Sequence, residues 1–254
     1  MALKIIEALR IASGDAVAIV GAGGKTSLMF ALVESAPKPV CLTTTTKLAR
    51  EECQGDFNHR LFSEFEVDPA AFLEQAKTNL ITNPMDSSSQ KWLGLSPSQA
   101  EQLIVYCKSS NILCLIEADG ARHLSLKAPA AWEPVIPDQV DLVIVVVGLS
   151  VIGKPLNAET VFRPELFSNL TGLPIGAPIQ LDHIVSMLNH PEGGLQGIPQ
   201  KSRAAVVFNQ ADAYSLNPEE LILVQRTLRD HYSTAILTRL QIDSQCCEVI
   251  LDSR

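Results

Sequence analysis

With 254 residues, 46% of them hydrophobic and 19% charged, and a mean hydropathy of +0.17, the chain can bury a full core and is not disordered. A formal charge of -8 argues against a nucleic-acid partner, because no positive stripe is available to release counterions from a phosphate backbone. The longest apolar run, Leu142 to Leu149, is too short to span a bilayer and suits a buried strand.

The N-terminal segment spaces Lys4, Glu7 and Arg10 through apolar residues, which predicts an amphipathic helix rather than a signal peptide and a cytoplasmic, membrane-free protein. Apolar runs follow at Ala16–Val20, Val40–Thr44, Ile112–Glu117, Leu142–Val147, Ala204–Phe208 and Thr234–Leu237. They alternate with helix-period segments, the pattern of βα units on a mostly parallel sheet. Asp68-Pro69 opens a predicted helix carrying Phe72, Leu73 and Ala76. Ser96-Pro97-Ser98-Gln99 and Asn217-Pro218-Glu219-Glu220 are capping boxes with proline at the first helical position. The segment from about 51 to 95 breaks the alternation and reads as an excursion at one sheet edge, with a short extra strand at Leu80–Thr82. The expectation is a single P-loop α/β domain over residues 1–254, a P-loop NTPase-like three-layer fold with a mostly parallel sheet.

The first strand runs into Gly21-Ala22-Gly23-Gly24-Lys25-Thr26-Ser27 and then into the periodic Leu28, Ala31 and Leu32. Strand, glycine-rich turn and helix form the context of a phosphate-binding loop. Its backbone N–H groups and the helix dipole would cradle a nucleoside triphosphate, Lys25 would neutralise the β and γ phosphates, and Thr26 would offer its hydroxyl to Mg²⁺. The loop is shorter than the usual G-x-x-x-x-G-K-[ST] and resembles that of the Mur ligases.

Other strand ends supply further candidates. Thr43-Thr44-Thr45-Thr46-Lys47 closes the second strand, with Thr45 a candidate metal ligand and Lys47 a second phosphate-binding cation; threonines also simply favour strands. Glu117 and Asp119 end an apolar strand as a Walker B acid does, one to hold the metal shell and the other to orient an attacking group. Arg122 and Lys127, in a loop with Glu133, can grip substrate or phosphate anions. Gly153-Lys154-Pro155 and Arg163-Pro164-Glu165 suit a substrate-facing loop, or a loop followed by a capped helix. Asn209-Gln210-Ala211-Asp212 is similar to the N-K-x-D guanine-reading motif of GTPases, with Gln210 where lysine is usual. Asn209 and Asp212 would contact the base, and GTP and ATP both remain open. Six cysteines at 41, 53, 107, 114, 246 and 247 form no CxxC pair. Cys41 and Cys114 read as core residues, while the vicinal Cys246-Cys247 can hold a soft atom or be oxidised.

Taken in order, these motifs, with Lys127-Ala-Pro129 and Glu133-Pro134-Val135-Ile136-Pro137 among them, resemble the YqeC family over about residues 14 to 240. Members are described as accessory proteins of selenium-dependent molybdenum hydroxylases and as selenium cofactor biosynthesis proteins. The resemblance implies a bacterial protein assisting maturation of a selenium-containing molybdenum cofactor, with the molybdopterin cofactor and a molybdenum hydroxylase as partners. Three activities fit: an NTPase coupling hydrolysis to delivery, a transferase or ligase acting through phosphorylation, and a non-hydrolysing nucleotide-dependent scaffold.

Overall fold

The computed structural model describes residues 3–49, 57–69 and 77–253. Ten strands form one sheet: β1 (Leu3–Lys4), β2 (Ala16–Gly21), β3 (Val40–Thr44), β4 (Phe57–Leu61), β5 (Thr78–Thr82), β6 (Leu113–Glu117), β7 (Leu142–Gly148), β8 (Arg203–Asn209), β9 (Thr234–Arg239) and β10 (Asp243–Asp252). Their spatial order is β1-β10-β9-β8-β7-β2-β6-β3-β5-β4. From β9 across to β4 every pairing is parallel, and β10 lies antiparallel to both β9 and β1.

The helices are α1 (Ile5–Ala8), α2 (Lys25–Ser35), α3 (Phe62–Val67), α4 (Pro97–Ser109), α5 (Pro164–Thr171), α6 (Leu181–Leu188) and α7 (Pro218–Leu228). Both expected capping boxes form. Ser96 Oγ accepts the Gln99 N–H at 3.3 Å, and Asn217 Oδ1 accepts the Glu220 N–H at 3.0 Å. The strands alternate between two core layers, as a sheet covered on both faces requires. Ala16, Ala18, Val143, Val145 and Phe208 face the layer under α4 to α7, and Val17, Ile19, Ile144 and Val146 face Leu28 and Leu32 of α2. This is the three-layer α/β fold expected.

Differences lie at the edges. The N-terminal helix is a single turn, because Leu3 and Lys4 instead pair with Cys247 and Cys246 as sheet. The 51–95 excursion contributes β4 and β5 to the main sheet, the latter longer than expected. Further along it, Met85–Asp86 and Lys91–Trp92 pair antiparallel, and Lys91–Trp92 pairs in turn with Leu48–Ala49, in a small separate ribbon. Cys53, and Phe72, Leu73 and Ala76 of the helix predicted after Asp68-Pro69, lie outside the described residues.

The chain leaves β2 for β3 on one side and, after β6, moves to β7 on the other. Connections diverging in this way open a crevice at the carboxyl ends of the strands, where such sheets bind ligands.

Candidate functional site

The carboxyl ends of β2, β6, β7 and β8 surround that crevice, a cleft of about 660 Å³ walled by Gly23, Gly24, Lys25, Thr26 and Ser27 on one side. The glycines are dictated by close approach. A Cβ on Gly23 would stand 2.3 Å from the Gly148 nitrogen, and one on Gly24, at φ 129°, 2.3 Å from Asn209 Nδ2, so no larger residue fits. The N–H groups of Gly21, Ala22 and Gly23 are spent inside the protein, on Asp119 Oδ2 (3.0 Å), the Val146 carbonyl (2.8 Å) and the Leu124 carbonyl (3.0 Å). Free donors are therefore the first-turn N–H groups of α2, which lack intrahelical acceptors and follow an uncapped Gly24.

Lys25 is 6% exposed. Its Nζ donates to the Gly21 carbonyl at 2.8 Å and lies 3.2 Å from Asp119 Oδ1 and 3.7 Å from Glu117 Oε1. The two strand-end acids differ sharply in position. Glu117 faces the cleft, whereas Asp119 is 3% exposed beneath it, with Oδ2 accepting both the Gly21 N–H and Lys127 Nζ, the latter at 2.8 Å. Lys127 is buried too, and also donates to the Gly120 carbonyl and to Glu133 Oε2, each at 2.8 Å. Arg163 clamps Glu133 with two bonds of 2.7 and 2.9 Å. Burial pushes the Glu133 carboxyl up, but the hydrogen bonds from Arg163 and Lys127 outweigh it and hold its pKa at about 2.

A two-strand ribbon, Leu126–Lys127 with Val161–Phe162, carries this ion network to the cleft wall. Phe162, Arg122 and His123 line the cleft. Arg122, His123, Arg163 and Gln210 all hold positive φ (48°, 60°, 64° and 63°). Strained backbone of this kind concentrates at functional sites.

The second-strand threonines are mostly committed to structure. The hydroxyls of Thr43, Thr44 and Thr45 donate to the carbonyls of Ile81, Glu117 and Val135, at 2.8, 2.9 and 2.8 Å. Thr46 and Lys47 reach the cleft, with Lys47 paired to Asp86 at 2.6 Å. The Thr45 hydroxyl is thus engaged away from the cleft, whereas Thr26 and Glu117 line it with oxygen atoms of the hard kind that could hold a cation such as Mg²⁺.

Asn209 is 3% exposed and engaged through both its amide nitrogen and its oxygen. It donates to the Gly23 carbonyl at 2.8 Å and accepts from Thr238 Oγ1 at 3.1 Å and the Leu240 N–H at 3.2 Å. It braces the glycine loop instead of offering its edge to a base. Gln210 lines the cleft, and Asp212 is exposed on the turn that follows. Residues that sequence reasoning missed include Phe162, Lys91 and Gln241 in the cleft wall. The two-residue strands bearing the first two show no periodic signal.

The sulfurs of Cys41, Cys107 and Cys114 lie within 4.8 Å of one another, all buried in the core. Cys41 and Cys114 are register partners towards the amino ends of β3 and β6, away from the cleft. Cys247 is buried and Cys246 half-buried on β10. No helix among the described residues is long and apolar enough to cross a membrane.

Comparison with known proteins adds family evidence. The family model described as "YqeC protein" matches residues 17–165. "Uncharacterized protein YqeC" of Escherichia coli (strain K12) is 33% identical over 200 residues, covering 76% of this chain and 75% of that protein. No solved structure matches.

Proposed function

The chain belongs to the YqeC family, and from that premise we propose that it binds a magnesium nucleoside triphosphate in the cleft at the start of α2 and cleaves or transfers its terminal phosphoryl group. The observation that carries this reading is the uncapped amino end of an eleven-residue helix, set behind a close-packed glycine loop, with Lys25 at its first position. Free N–H groups, helix dipole and a lysine together suit a polyphosphate.

Lys25 rests on the Gly21 carbonyl and two carboxylates, and bound phosphates would compete for it. Thr26 and Glu117 would hold Mg²⁺, which neutralises charge developing on the phosphates. Glu117 would also help orient an attacking hydroxyl or water. Asp119 serves as the buried link joining the loop, Lys25 and Lys127.

The biological setting proposed is the one the family resemblance implies: cytoplasmic maturation of a selenium-containing molybdenum cofactor for a molybdenum hydroxylase. The test is incubation of purified protein with Mg²⁺ and GTP or ATP, with and without molybdopterin cofactor, measuring bound nucleotide and free phosphate. Binding should be lost in Lys25→Ala. Phosphate release without cofactor supports hydrolysis, a cofactor-dependent product supports transfer, and absence of binding to either nucleotide by the wild type overturns the reading.

A further inference from the structure

Three cations surround the Phe162 ring. The guanidinium carbons of Arg163 and Arg122 stand 4.2 and 4.9 Å from its centroid, and Lys127 Nζ 5.8 Å from it. Glu133 answers two of them, through its pair with Lys127 and its fork with Arg163. Arg122 forms no ion pair among the described residues and is exposed. Like charges crowded about one ring repel unless an anion joins them.

The backbone holds Arg122 there by design. Arg122 and His123 sit in the left-handed region in succession, in a turn closed by the Leu124 N–H on the Ala121 carbonyl at 3.0 Å. The Leu124 carbonyl in turn accepts the Gly23 N–H at 3.0 Å. Two consecutive non-glycine residues in this region are strained and persist only where the surroundings impose them. The glycine loop and the turn presenting Arg122 are therefore built as one unit.

Other cations at the cleft are spoken for. Lys25 faces Glu117 and Asp119, and Lys47 pairs with Asp86. Lys91, on the ribbon beside Trp92, lines the cleft and forms no ion pair among the described residues. Two cations with no ion pair among the described residues thus face one cleft in a chain of net charge -8, on elements separate from the first turn of α2.

We infer that Arg122 and Lys91 hold a second oxyanion beside the triphosphate, the phosphate monoester of a small co-substrate. The inference rests on the nucleotide reading above and narrows it towards an anionic second substrate. A guanidinium over an aromatic ring can still present donors to two phosphate oxygens, and a lysine adds a point charge.

The experiment titrates inorganic phosphate calorimetrically into the full chain saturated with Mg²⁺ and a non-hydrolysable triphosphate analogue. The wild type should bind one phosphate with the nucleotide site filled. Arg122→Gln and Lys91→Gln should each weaken that binding about tenfold, while affinity for the analogue changes less than about twofold. Phosphate binding that vanishes when the analogue is bound, or that survives both substitutions, overturns the inference. So does a tenfold loss of analogue affinity in Arg122→Gln, which would assign Arg122 to the triphosphate itself. If the analogue fails to bind the wild type, the nucleotide reading falls, and titration of the free chain decides the subsite alone. Loss of phosphate binding in Arg122→Gln but not in Lys25→Ala upholds it, and the reverse overturns it.

Discussion

Lys25 was expected from the sequence as a loop lysine facing phosphate, yet only 6% of it is exposed and its charge is answered by Asp119 and Glu117. Those two acids, equivalent in a reading of spacing alone, separate by burial. Asp119 holds the Gly21 N–H, Lys25 and Lys127 together, so Asp119→Asn should destabilise the fold by about 2–4 kcal/mol, because two buried ammoniums lose a shared carboxylate and keep only their other partners. Glu117→Gln should leave stability within about 1 kcal/mol of wild type and slow turnover about a hundredfold. Urea unfolding with phosphate-release assays separates the two, and the opposite pattern would return catalysis to Asp119. At the turn after β8, Asn209 is consumed as a brace, and Asp212 is the exposed carboxylate that the proposed guanine contact would use, as acceptor for N1–H and the 2-amino group. Wild type is expected to prefer GTP to ATP. Asp212→Asn would put a donor where an acceptor stood, a change of about 1–3 kcal/mol that favours XTP. Competition binding at fixed Mg²⁺ reads this, and unchanged selectivity removes Asp212 from the site.

Elements next to the cleft were legible because their strands are buried on both faces and so read as unbroken apolar runs ending in polar candidate residues: Val40–Thr44 is seen as expected, and β7 and β8 extend by one or two residues. The same physics hides the edges. β4, Phe-Asn-His-Arg-Leu, is half-buried throughout, and β10 mixes exposed and buried residues along its length, so neither presents a run. The phosphate-loop context was visible in glycine spacing, but its coupling to β8 through Asn209 was not, since a buried polar network has no sequence period. That coupling is testable. Asn209→Ala would orphan the Gly23 carbonyl, the Thr238 hydroxyl and the Leu240 N–H, at about 2–3 kcal/mol. Nucleotide affinity should fall alike for GTP and ATP, because the loop loosens. Selective loss of GTP would instead mean that Asn209 contacts the base.

At the scale of the whole molecule, the sheet is closed on one side by the chain's two ends. β10 runs antiparallel between β9 and β1, and its side chains tie together distant helices. Gln245 Nε2 donates to Glu34 of α2 at 2.8 Å, and the Ile250 carbonyl accepts Gln225 of α7 at 2.8 Å. Asp252 pairs with Arg10. Cys247, Ile250 and Leu251 are buried, the latter two contributing about 1.5–3 kcal/mol each as aliphatic side chains removed from water. Together these two reach about 3–6 kcal/mol, comparable with the lower end of the 5–15 kcal/mol by which a domain is typically stable. Removing β10 would also leave β9 as a long unpaired parallel edge, a template for association. A chain ending at Ile242 is therefore expected to lose cooperative urea unfolding and to aggregate, read by circular dichroism and size-exclusion chromatography. The cleft wall includes Gln210 after β8 and Gln241 just before β10, so a soluble, cooperatively folded truncation would show that the core around the cleft stands without this seam.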